Sequence, residues 1–153
     1  MQSIKRVPKT DLARQTRQVI NAVMRGHTVV IESHGHPEVA IVDIVDFYIM
    51  RAVMGYYVHR PEIEPDAGLT EQQVEEVSEP QDRYDLVLAH YLTTSIRLEW
   101  AAELLGLAWL DLYSRCQRLN VPLDLNKAER QSALAGHQSS SAGKNIESKR
   151  EED

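Results

Sequence analysis

The sequence predicts an α+β fold: a small βαββα module at the N-terminus, then an all-helical module. Three observations predict it. Up to Tyr48 the chain alternates β-branched runs with helical spacing, an acidic, proline-bearing stretch follows over 59–82, and beyond Tyr84 the apolar spacing is helical only. A run of period two reads as strand and one of period 3.6 as helix.

The elements follow in order. Ile4 to Val7 form a short strand that Pro8 stops, because proline brings no N–H to a ladder. Thr10 is the predicted N-cap of the first helix, with Asp11 suited to its positive start. Leu12, Thr16, Val19, Ile20 and Val23 then recur at helical spacing as one apolar stripe, and Gly26 ends the helix. Residues 28–33 and 38–43 are β-rich runs joined by His34-Gly35-His36-Pro37, a predicted hairpin. Val39 to Val42 are all apolar, so both faces of that second strand are expected to be covered. Asp43 followed by Asp46 predicts a capped helix from Ile44 to Tyr57 that is apolar nearly all round.

A module of this size cannot hide such a helix alone. The expected cover is a second copy of the chain, with Val39, Ile41, Phe47, Ile49, Met50 and Val53 at the dimer interface.

Charge sharpens the picture. Over residues 1–26, Lys5, Arg6, Lys9, Arg14, Arg17 and Arg25 face Asp11 alone, a net of +5. Over residues 27–85, 13 acids face Arg51, Arg60 and Arg83, a net of −10. A basic head points to a polyanion and an acidic waist to a basic partner. The waist carries three prolines over 59–82 and reads as a linker with a short helical turn around Leu69 to Val77.

The second module starts with a helix marked by Leu86, Val87, Ala89 and His90. Ala101-Ala102-Glu103-Leu104-Leu105-Gly106-Leu107, a further helix and the closing Asn120-Val121-Pro122 resemble a helix-turn-helix of the Fis-like type. Leu112, Cys116 and Leu119 form the buried face of its last helix. Its base-facing positions would be Ala108, Trp109, Leu110, Tyr113, Ser114 and Gln117, which are mostly apolar where base edges call for Arg, Lys, Asn or Gln. Arg115 and Arg118 could reach phosphate. Trp100, Trp109, Leu110 and Tyr113 read instead as anchors for a protein partner. The tail over 126–153 is expected to be disordered.

No enzyme is expected. There is no Gly-rich phosphate loop, His34 and His36 sit on a turn without further ligands, and the lone Cys116 reads as a small buried side chain. No metal, cofactor, catalytic residue or membrane span is predicted, and a lone cysteine fits a reducing cytoplasm.

The module over 1–58 resembles the prevent-host-death (Phd/YefM) family of bacterial antitoxins. The resemblance rests on Ile4 to Val7, the helix Leu12…Val19-Ile20…Val23…Gly26, the hairpin Val29-Val30-Ile31…Gly35…Pro37-Glu38-Val39-Ala40-Ile41-Val42, and Phe47. It covers about a third of the chain. It implies a homodimer that binds operator DNA through the N-terminal face and masks a cognate protein toxin, a small ribonuclease by family analogy, with its C-terminal part. The helical module over 83–125 is similar to small toxin-linked helical proteins. Family members often carry Thr-Arg-Arg-Gly entering the hairpin turn, whereas this chain has Glu32-Ser33-His34-Gly35. DNA contact therefore falls to Lys5, Arg6, Lys9, Thr10, Arg14 and Arg17. Two other expectations stay open: a stand-alone DNA-binding regulator without a toxin, and an interaction scaffold that has lost DNA binding.

Overall fold

The structure is a computed structural model that describes residues 3–123, and the tail over 126–153 lies outside the described residues. Among the described residues the architecture is α+β, with three strands and six helices. The strands are β1 (Ile4–Pro8), β2 (Thr28–Ser33) and β3 (His36–Ile41). The helices are α1 (Thr16–Met24), α2 (Ile44–His59), α3 (Glu71–Glu75), α4 (Pro80–Leu92), α5 (Leu98–Leu104) and α6 (Trp109–Arg118). None is long and apolar enough to cross a membrane.

The sheet has the order β1-β2-β3. β1 runs parallel to β2, with Ile4 opposite Thr28 and Val7 opposite Ile31, and α1 makes the crossover that parallel strands need. β2 and β3 form a hairpin with a two-residue turn. His34 and Gly35 both take positive φ, at 51° and 76°, which is the backbone a tight right-twisted hairpin requires. His36 and Pro37, expected in the turn, therefore belong to β3. Pro37 is tolerated because β3 is an edge strand with a register shift opposite it at Ile31/Glu32.

The first helix differs from expectation. Thr10 does not cap it: Lys9–Asp11 form a 3-10 turn, and α1 begins only at Thr16. That turn lays Leu12 on a small core of Val19, Val23, Val29 and Ile31, joined by Val7, Ala22 and Ile41. A narrow sheet covers only one row of the helix, Val19 and Val23 at i and i+4. Ile20 stays 50% exposed. β3 is likewise open along its length, rather than covered on both faces.

α2 belongs with the C-terminal helices. Its Ile49 and Ala52 are fully buried against Tyr84, Val87, Leu88 and Tyr91 of α4, together with Ala101, Ala102, Leu112 and Cys116. The same core takes Leu69 and Val74 from the acidic stretch. That stretch is thus anchored where a linker was expected. Thr70 and Gln73 close a capping box that starts α3, and the Trp100 indole donates to the Leu69 carbonyl at 2.7 Å. Burying two apolar side chains of this size contributes about 1.5–3 kcal/mol each relative to exposure, enough to tie down a polar loop. Pro80 opens α4 at its first turn, where a missing N–H costs nothing.

Candidate functional site

Three surfaces and one buried cluster are built on this frame. The cluster joins the two halves of the sequence. Asp43 precedes α2 in extended backbone and caps it, its carboxylate accepting from the Val45 and Asp46 amides at 2.9 and 3.4 Å. Asp46, expected to share that capping, instead turns to α6. Arg115 donates to Asp43 at 2.6 Å, to Asp46 at 2.8 Å and to Asp111 at 3.1 Å, and Arg118 reaches Asp46 at 3.3 Å.

Asp43 and Asp46 are only 7% and 3% exposed. Burial alone would lower the pKa of Arg115, but the hydrogen bond it donates to Asp46 and the charges of Asp43, Asp46 and Asp111 outweigh it and raise it. The guanidinium stays charged. Arg115 and Arg118, read from the sequence as phosphate contacts, are thus engaged inside the chain. The helical spacing of Asp111 and Arg115 was visible in the sequence; their meeting with α2 was not.

The basic end is only partly free. Arg6 pairs with Glu32 at 2.7 Å, Lys9 with Glu38 at 3.1 Å and Arg14 with Asp11 at 2.6 Å, all through well-exposed cations. Lys5 and Arg17 are exposed and have no ion pair among the described residues. Thr10 lies exposed in the 3-10 turn. Exposed pairs are worth ~0–1 kcal/mol, so a phosphate can displace Glu32, Glu38 or Asp11 at small cost.

The apolar face divides in two. Ile49 is fully buried within the chain and Val53 packs on the same core, so these two expected dimer residues face α4 and its neighbours instead. The stripe Ile44, Phe47, Met54 and Val58 points outward, 56%, 40%, 67% and 73% exposed. Met50 lies beside it at 36%, and Arg51 sits over the Phe47 ring. Val39 is exposed on β3, and Ile41 is half-buried against the small core. An α2 that is apolar all round thus has two sides: one meets the chain's own core, and the other is covered by none of the described residues.

On α6, Trp109, Leu110 and Tyr113 are exposed, with the two rings edge to face at 5.7 Å. Ala108, Ser114 and Gln117 are exposed beside them. Trp100, predicted to share this role, is elsewhere, its indole tied to the loop before α3.

Burial pushes the Cys116 thiol up to about 12, with Asp46 adding to the effect. Burial lowers His90, whose Nδ1 lies 3.0 Å from the Ser95 hydroxyl. Among the described residues no group of three or more His, Cys, Asp or Glu side chains is placed to hold a metal ion. Compared with protein-family models, curated proteins and solved structures, the chain has no match.

Proposed function

We propose that this chain is the antitoxin of a type II toxin–antitoxin system of the Phd/YefM kind. It pairs with a second copy of itself, binds operator DNA through the β1–α1 end, and masks a toxin with its C-terminal helices. The observation that carries the reading is the apolar stripe Ile44, Phe47, Met54 and Val58 on α2, which none of the described residues covers. A face of this kind on a small soluble domain marks an interface, and a twofold pairing doubles the cations of Lys5, Arg6, Lys9, Arg14 and Arg17. The exposed Trp109, Leu110 and Tyr113 on α6 support a protein partner at the other end. The toxin is a small ribonuclease by family analogy alone.

The test is a gel-shift titration of the full chain on the DNA upstream of its own gene, at several salt concentrations. If a dimer neutralises about eight phosphates, affinity falls roughly 10³–10⁵-fold between 50 and 200 mM salt. A flat salt response would remove DNA binding from the proposal.

A second reading rests on the ion pairs of Arg6, Lys9 and Arg14 with the chain's own carboxylates. It is an interaction scaffold that has lost DNA binding. In that case the titration shows no retarded band, while co-purification with the neighbouring gene product persists.

A further inference from the structure

A cavity of about 500 Å³ opens between α3, α4 and the end of α5. Tyr48 and Tyr84 line it with ring centroids 5.2 Å apart, and Val74, Leu104 and Leu105 supply apolar wall. Glu71 and Glu75 from α3 and Glu103 from α5 complete the lining, and none has an ion pair among the described residues. Arg83 also lines it, its Nε donating to the Val77 carbonyl, so three carboxylates and one guanidinium leave the lining a net charge of −2. Tyr84 is 8% exposed, and its hydroxyl has no hydrogen-bond partner among the described residues. That hydroxyl is not sealed from solvent. Water can satisfy it, so Tyr84 serves the cavity as an aromatic wall.

The walls are held in place. Val74 is buried at 3% exposure, and the capping box at Thr70 and Gln73 sets where α3 begins. Glu71 and Glu75 therefore stand one turn apart as like charges on a five-residue helix, an arrangement that costs stability until a cation offsets it. The carboxylates are not grouped to share a metal ion. They suit a larger, planar cation with an apolar stem.

We propose that this cavity takes the guanidinium of an arginine side chain presented by a basic protein partner. The inference rests on the reading above, in which that partner is the toxin. A guanidinium stacks on aromatic faces and offers forked N–H donors to more than one carboxylate, which an ammonium does not match.

The experiment titrates the isotope-labelled full chain with Nα-acetyl-arginine N-methylamide and follows amide shifts by NMR. Saturable shifts are expected at Tyr48, Tyr84, Leu105 and Gly106. The triple variant Glu71→Gln, Glu75→Gln, Glu103→Gln should weaken binding roughly tenfold or more. Glu62→Gln with Glu64→Gln should leave it unchanged, and the lysine analogue should bind more weakly. Shifts that do not saturate, a triple variant with unaltered affinity, or equal binding of the lysine analogue would each overturn the inference. These carboxylates are exposed, so all variants should melt with the parent protein. Loss of operator binding with the arginine site intact removes the antitoxin reading; the converse result removes this inference alone.

Discussion

Asp46 near the start of α2 and Arg115 on α6 are 69 residues apart in the chain and meet at 2.8 Å, nearly out of reach of water. The contact binds the strand-bearing half of the sequence to its last helix. Arg118 reinforces it, bonding Asp46 while its guanidinium lies close against Gly26 at the end of α1. A cut after residue 58 would leave Asp43 and Asp46 without Arg115, and Ile49 without α4. Residues 3–123 are therefore expected to fold as one piece.

Asp46→Asn tests the cluster directly. It leaves Arg115 and Arg118 partly buried with less counter-charge, and breaking one side of a buried pair costs about 3–5 kcal/mol. A loss near the lower end is expected from urea denaturation, since Asp43 and Asp111 still face Arg115. A change under ~0.5 kcal/mol, the size usual for surface substitutions, would mean the cluster opens to water in solution.

Cys116 should resist alkylation at neutral pH in the folded chain and react fully in urea, because it is buried and protonated. The sign of its pH effect follows from the raised pKa. Its contribution is complete below the ordinary thiol value and is lost as pH rises toward about 12. Over that window stability should fall by about 1.4 kcal/mol per pH unit from this group. Comparing Cys116→Ala with the parent by denaturation across alkaline pH isolates its share.

Gly26→Ala should destabilise by about 1–2 kcal/mol, from the cost of a side chain at positive φ. Gly26 has φ at +93°, and an added Cβ would lie 3.1 Å from the Arg118 guanidinium carbon. Thermal denaturation reads the loss. Gly35→Ala, at φ +76° with open space around it, carries the backbone part alone, so the difference between the two measures the crowding.

Phe47→Asp with Met54→Asp should convert the proposed dimer to a monomer in sedimentation equilibrium. Both side chains are exposed in the single chain, so monomer stability should move by less than ~1 kcal/mol. Ile49→Asp is the contrast, because it buries a charge in the core and should unfold the protein. A parent chain that already sediments as a monomer at micromolar concentration would end the dimer proposal.

Cations without an internal partner should matter most to the proposed DNA contact. Lys5→Ala and Arg17→Ala should each lower the slope of log affinity against log salt by about 2, one contact from each protomer of the proposed dimer. Arg6→Ala and Arg14→Ala should lower it less, since those guanidiniums already hold Glu32 and Asp11. Equal effects at all four positions would mean the internal pairs dissolve on binding.

Local structure was legible in the sequence wherever a few neighbouring residues decide it. The β2–β3 hairpin, the Gly26 stop, the Asp43 cap and the buried face Leu112, Cys116 each follow from turn chemistry or helical period within one or two turns of chain. The start of α1 was not, because Thr10 had the right chemistry for a cap while Leu12 was drawn down onto the sheet by a 3-10 turn. Only tertiary structure decided how α2 is shared, since a helix apolar all round carries no mark of which side meets its own chain. The same holds for Arg115 and Arg118, which look like surface cations until Asp43 and Asp46 arrive beside them from the far end of the sequence. Period and propensity act over a few residues; burial and charge compensation act between residues that only the folded chain brings together.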